Sequence, residues 1–249
     1  MRNATSVLLA TVSLACLVAY VFVSTGAIDR DSLPVWGTKP LLMPALLAWL
    51  HARLRGRRVA EVRTAGIYAA LVLCGAGDVC LIRPGTFLLG AAAFGLAHLC
   101  YVGSLLRLRH VRAALASWEI LGLLALVAYA YLVAALVKDR LESAKQIAFA
   151  AYGAFVLATA ASAFVRFVAR GDRSSATILA GAALFLQSDS LIAVRVATLP
   201  LPLGPFAVMA TYVAGQFLIA RGVATTPDAT EPGTGGILPG HERSRSSAG

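Results

Sequence analysis

Apolar residues in this chain are gathered into runs of about twenty, separated by short polar connectors, and that is the length of helix that crosses a hydrocarbon core. A water-soluble domain needs a largely polar outer face. Here 59% of the residues are hydrophobic and 14% charged, too little polar surface to cover a domain of this size. The pattern predicts an all-α fold, a polytopic transmembrane helical bundle of about eight spans. The expected spans are Ser6–Gly26, Lys39–Arg53, Arg63–Ile82, Thr86–Leu106, Ala114–Val137, Lys145–Val168, Ser175–Val196 and Leu203–Gly222. The first resembles a signal peptide in having Arg2 before an apolar stretch. Its apolar run is longer than a usual signal core, and retention as a helix is expected. In the second, Thr38 is placed to cap the helix, with Pro40 in the first turn, where a missing N–H costs little. Residues 1–223 form the transmembrane domain on this reading. The Thr-, Pro-, Gly-, Ser- and Arg-rich segment 224–249 cannot bury a core and is expected to be a disordered tail.

The formal net charge of +10 raises the possibility of a nucleic-acid partner, but the positions of the cations oppose it. They cluster in alternate connectors. Arg53, Arg55, Arg57, Arg58, Arg63, Arg107, Arg109, Arg112, Arg166, Arg170 and Arg173 fall on one side of the membrane. Arg30, Lys39, Arg83, Lys138, Arg140 and Lys145 fall on the other, offset by Asp29, Asp31, Asp139 and Glu142. Such asymmetry is the signature of membrane orientation and places both termini in the cytoplasm. Predominance of Arg over Lys, with abundant Ala, suggests GC-rich coding and a bacterial inner membrane. Cys16, Cys74, Cys80 and Cys100 all lie in apolar runs without CxxC spacing and read as small packing residues.

The informative residues are ionisable groups within spans. A mid-helix Asp costs about 2.5–3.5 kcal/mol to insert, so it faces a partner or a watery cavity. Asp78 and Asp189 are two such residues, and each is either a functional carboxylate or a polar lock between helices. Lys39 lies on the same side of the membrane as both and can reach one of them, or snorkel to the interface. On the fourth span, Gly90, Phe94, His98 and Tyr101 recur at three or four residues and share a face. His98 there is a packing histidine or a proton-handling one. Tyr212 and Gln216, four apart, share a face of the eighth span, where interhelical hydrogen bonding is the simpler role for Gln216. Glu119 and Arg195 sit near span ends and read as interfacial. The sequence has no GxSxG, HExxH, P-loop or GxGxxG, and a single intramembrane His is too few for a three-histidine zinc site.

Taken together, these blocks resemble the YhhN-like lysoplasmalogenase family. They are Lys39-Pro40-Leu41-Leu42-Met43-Pro44; Gly77-Asp78; Gly90, Phe94, His98 and Tyr101; Ser188-Asp189-Ser190-Leu191-Ile192-Ala193; and Tyr212 with Gln216. The resemblance runs from Lys39 to Gly222. It implies an eight-helix membrane enzyme hydrolysing the vinyl ether bond of lysoplasmalogens to a fatty aldehyde and glycerophosphoethanolamine or glycerophosphocholine. Asp78 and Asp189 would be the catalytic pair, one donating a proton and one acting as base. Lys39, His98, Tyr101, Ser188, Tyr212 and Gln216 would bind or orient substrate and water. The implied partners are a lysophospholipid and membrane lipids, with no nucleic acid, and no metal or cofactor is required. Two other functions fit the same residues: a proton- or cation-coupled transporter, in which the carboxylates line a path, and a non-catalytic lipid-binding protein, in which they hold helices together.

Overall fold

A computed structural model describes residues 33–57, 59, 62–83, 85–115, 119–197 and 204–228; the first expected span, Ser6–Gly26, lies outside the described residues. Described segments are helical, in the order α1 (Leu33–Leu54), α2 (Thr64–Ile82), α3 (Phe87–Leu105), α4 (Leu108–Leu115), α5 (Ile120–Val137), α6 (Ser143–Arg170), α7 (Arg173–Val196) and α8 (Gly204–Thr225). A single 3-10 turn, Lys138–Arg140, follows α5. Among the described residues, 6 helices are long and apolar enough to cross a membrane, which makes this a multi-pass integral membrane protein.

Six helices close into a ring: α1 packs on α2, α2 on α3, α3 on α6, α6 on α7, α7 on α8, and α8 back on α1. The main core lies inside that ring, with Leu46, Leu50, Ile67, Leu71, Tyr101, Ile178, Phe185 and Ile219 all buried. Helix α5 stands outside, touching α6 and α7 and leaving Leu121, Leu124, Val127, Tyr131 and Leu132 exposed. Side chains such as Leu88 (73% exposed) and Tyr131 (75%) have no place facing water, and the hydrocarbon of the bilayer is their natural cover.

Association in lipid depends on close packing, and small residues supply it. A Cβ on Gly181 would sit 2.6 Å from the backbone N of Ile219 and 2.7 Å from the carbonyl O of Gly215, so α7 and α8 meet backbone to backbone. Gly77 on α2 makes room for a side chain of α3 instead: a Cβ there would lie 2.7 Å from the Phe94 ring. Helix α7 is started by Asp172, whose side chain accepts from the Ser175 N–H at 2.7 Å. Helix α6 ends at Gly171 with φ +62°, the left-handed conformation glycine adopts without a Cβ penalty.

Three expected boundaries are corrected. The second span does not begin at Lys39 with Thr38 as cap; α1 starts at Leu33, so Pro40 and Pro44 lie inside the helix. Pro34 takes the first-turn place expected for Pro40, and the segment from Leu33 continues the helix toward the N-terminus. The fifth span, Ala114–Val137, is two elements. Its first residues belong to α4, a short helix bearing Arg109, His110 and Arg112 that packs on α6. The tail does not begin at residue 224. Helix α8 runs to Thr225, and Arg57 bonds the carbonyls of Ala224 and Thr226 at 2.8 and 3.0 Å and the Asp228 carboxylate at 2.8 Å. The rest of that segment, 229–249, lies outside the described residues.

Candidate active site

Each of the six ring helices sends polar side chains into the interior, and together they build two adjoining centres. The first is Asp78 on α2. Tyr212 on α8 donates its phenolic O–H to Asp78 Oδ2 at 2.8 Å, and Lys39 Nζ on α1 stands 3.7 Å from Oδ1. The carboxylate side chain is 3% exposed and the lysine side chain 10%. A buried charge is tolerated only when paired and hydrogen-bonded, and this pair is both. Placing Lys39 in the second turn of α1 gives its stem a helix to run along, where a helix-end lysine would have reached for the headgroups.

The second centre is Asp189 on α7. Its Oδ2 lies 3.3 Å from Nε2 of His98 on α3, and the other ring nitrogen, Nδ1, lies 3.0 Å from Oγ1 of Thr159 on α6. Thr159 Oγ1 is also 3.3 Å from the His98 carbonyl and 3.2 Å from the Phe155 carbonyl. Tyr152, about two helical turns before Thr159, is a further polar neighbour of Asp189. The histidine is fully buried, while the Asp189 side chain keeps 9% of its surface exposed.

The two centres share a wall. Phe185 on α7 stacks its ring 4.6 Å from His98, 5.6 Å from Tyr212 and 6.3 Å from Tyr101, and Phe94 meets Tyr212 edge-on at 5.9 Å. These tilted and edge-on contacts fix the rings that hold both carboxylates. Below them runs a third chain: Tyr101 donates to Gln216 Oε1 at 2.5 Å, and Gln216 Nε2 donates to Cys74 Sγ at 3.2 Å. Cys74 lies one turn before Asp78 on α2, so this chain joins the helix of the first centre, while Phe185 packs on a ring from each centre.

The ring thus brings together Lys39, Asp78, His98, Tyr101, Asp189, Tyr212 and Gln216. Ser188 is placed differently: its hydroxyl is buried and donates to the Val208 carbonyl on α8 at 3.0 Å, a bond between helices. Thr159, Tyr152 and Phe185 were not singled out from the sequence, and Cys74 reads there only as a packing residue. A lone Thr or Cys in an apolar span normally satisfies itself on its own helix, as Ser162 does on the Ala158 carbonyl at 2.6 Å. Only the i, i+4 spacing of Phe185 with Asp189, and of Cys74 with Asp78, could have marked these two as sharing a face. Among the described residues, no three His, Cys, Asp or Glu side chains converge as metal ligands.

Chemically, the arrangement offers one carboxyl held by a cation and a phenol, and another held by an imidazole with a phenol nearby. Two carboxyl groups in different surroundings can differ in protonation and so divide acid and base roles.

The chain is 34% identical over 166 residues to the human lysoplasmalogenase TMEM86B, 65% of this chain and 64% of that protein. It is 35% identical over 164 residues to the pig protein of the same name, covering 66% of each. The mouse protein is 31% identical over 161 residues, 65% of this chain and 64% of its relative. The matches therefore span just under two thirds of the length of these curated relatives. No solved structure matches the chain. The sequence profile of the YhhN family matches residues 35–223, from the first turn of α1 to the last turn of α8, and the protein belongs to that family.

Proposed function

We propose that this protein is a lysoplasmalogenase, a hydrolase that cleaves the vinyl ether bond of 1-alkenyl-glycerophosphoethanolamine or 1-alkenyl-glycerophosphocholine within the bilayer. The observation that carries the reading is the pair of carboxylates, Asp78 buried and Asp189 partly exposed, inside one helical ring but held by different partners. Support comes from the relatives, each named lysoplasmalogenase, and from family membership across the whole ring. A lipid substrate also suits a site enclosed by spans, since an alkenyl chain can reach it from the hydrocarbon while the glycerophosphate stays at headgroup level.

The reaction is the addition of water across a vinyl ether. A carboxylic acid protonates the alkene carbon distal to the ether oxygen, giving an oxocarbenium ion. The second carboxyl, ionised, stabilises the cation and takes a proton from the attacking water. The hemiacetal so formed collapses to aldehyde and glycerol hydroxyl, with no net change of oxidation state. The logic is that of two carboxylates flanking an oxocarbenium in glycoside hydrolysis. Lys39 and Tyr212 hold one carboxylate, and Tyr101 and Gln216 orient substrate or water. In the orientation that goes with this reading, eight spans leave both termini and the Arg-rich connectors in the cytoplasm, at a bacterial inner membrane.

The test is aldehyde release by purified protein from 1-alkenyl, 1-acyl and 1-alkyl lysophospholipids, with Asp78→Asn and Asp189→Asn beside the wild type. Release from the alkenyl lipid alone, lost in both folded variants, is the expected result. A folded wild type that releases nothing, or variants that retain full turnover, would remove the proposal.

A further inference from the structure

We propose that Thr159 is a positioning residue that sets the tautomer of His98 and thereby leaves the catalytic proton on Asp189, with Asp78 as the standing anion. This assignment rests on the vinyl ether reading for its chemical meaning, but the placement of the proton follows from hydrogen-bond geometry.

The Thr159 hydroxyl has one proton and two lone pairs. Its oxygen lies near three groups: Nδ1 of His98 at 3.0 Å and the carbonyl oxygens of His98 and Phe155 at 3.3 and 3.2 Å. Carbonyls only accept. If the hydroxyl proton pointed at Nδ1, the threonine oxygen would face two carbonyl oxygens with no proton between them, which is repulsive. If the proton points to the carbonyls, a lone pair is left for Nδ1–H, and every contact is favourable. Thr159 therefore accepts from Nδ1–H, and His98 is the Nδ1–H tautomer.

That choice propagates to the other ring nitrogen, because which nitrogen bears the proton is fixed by the bond its partner makes. Nε2 is then a bare acceptor 3.3 Å from Asp189 Oδ2, and two acceptors do not bond without a proton. Asp189 supplies it as a neutral carboxylic acid, a state that the neighbouring Tyr152 hydroxyl, able to donate or accept, also fits. The alternative, an imidazolium beside a carboxylate, would separate charge in a fully buried ring, at a desolvation cost the neutral pair does not carry. Asp78 has different surroundings, and its partners among the described residues are donors: the Lys39 ammonium at 3.7 Å and the Tyr212 phenol at 2.8 Å. It is the ionised member. Both centres are then electrically neutral overall, the state a hydrocarbon environment favours.

The cycle closes with these roles. Asp189 gives its proton to the distal alkene carbon and becomes a carboxylate. Water adds to the oxocarbenium carbon and gives its proton to Asp78. In the collapse of the hemiacetal, Asp78 protonates the departing ether oxygen while the hemiacetal O–H returns a proton to Asp189. The carbon–oxygen bond to glycerol breaks, the carbonyl forms, and both aspartates end as they began.

The experiment is infrared spectroscopy of the protein in detergent, reading the band of a protonated carboxyl group, together with nitrogen-15 shifts of labelled histidine assigned through His98→Gln. A protonated-carboxyl band that disappears in Asp189→Asn and survives in Asp78→Asn is expected. No such band, or one lost only in Asp78→Asn, overturns the assignment. Thr159→Val should move His98 away from the Nδ1–H form and lower turnover about tenfold, the scale of one hydrogen bond, and Thr159→Ser should restore both. A valine variant with an unchanged His98 tautomer overturns the role of Thr159. If the spectra come out as expected while the folded wild type releases no aldehyde, the proton placement stands and the vinyl ether reading falls.

Discussion

Replacing Lys39 by Met keeps the stem and removes the charge, and it isolates what the cation does for Asp78. At 3.7 Å, with an effective dielectric constant of about 20, the Coulomb term is about 4.5 kcal/mol. The variant leaves the buried carboxylate with the Tyr212 hydrogen bond from this pair of partners. Breaking one side of a buried pair typically costs about 3–5 kcal/mol. The carboxyl has one escape, to take up a proton. That uptake offsets part of the loss. Lys39→Met is therefore expected to destabilise by about 3–4 kcal/mol at neutral pH. Because the penalty falls on the charged form, it should shrink as pH is lowered toward the ordinary carboxylate pKa, where the carboxyl is protonated in any state. The assay is reversible unfolding in detergent of Lys39→Met, Asp78→Asn and the double variant. The double variant should be more stable than the sum of the singles predicts, by more than about 1 kcal/mol. A neutral Lys39→Met, strict additivity, or a penalty that grows on acidification would refute the ion pair as a structural element.

Three further outcomes are checkable by the same unfolding measurements. Gly181→Ala should cost about 1–3 kcal/mol or more, since its Cβ would meet backbone of α8 that cannot move aside, whereas Gly103→Ala, with nothing within 4 Å, should be neutral or stabilising by up to about 1 kcal/mol. Arg57→Ala should cost more than Asp228→Asn, because Arg57 also bonds two carbonyls at the end of α8; the asparagine variant should lose under about 1 kcal/mol, as exposed ion pairs do. Asp172→Ala should cost about 0.5–2 kcal/mol as a lost helix cap. Burial raises the Asp172 carboxyl, but hydrogen bonds from the Ser175 N–H, the Ser174 hydroxyl and Arg170 outweigh it and hold the group well below the usual carboxylate range. Its contribution is thus fully present above the ordinary carboxylate pKa and fades on acidification through the lower folded value.

The spans were legible because lipid imposes a length and forbids unpaired backbone. Helices α2, α3, α7 and α8 begin and end within about three residues of expectation. The failures have a common cause, in that local signals were ambiguous where tertiary packing decides. Two prolines that could open a helix instead lie inside α1, and a connector rich in Arg folds as α4 because α6 offers it a surface. In the site, Asp78, Asp189, Lys39 and His98 were legible because charge inside a membrane needs a reason. Thr159 was not. A threonine that bonds its own helix looks the same in sequence as one that also receives a histidine N–H from another helix.

The ring has a consequence for biogenesis. Ribosomes deliver spans in order, so Asp78 enters the membrane together with Lys39 but long before Tyr212, and His98 precedes Asp189 by 91 residues. Until α8 inserts between α7 and α1, the earlier helices carry polar groups whose partners have not yet been synthesised. The nascent protein is thus a chain with temporarily orphaned carboxyl and imidazole groups in lipid. Insertion chaperones and membrane proteases have a chemical handle by which to recognise any molecule that stalls before α8.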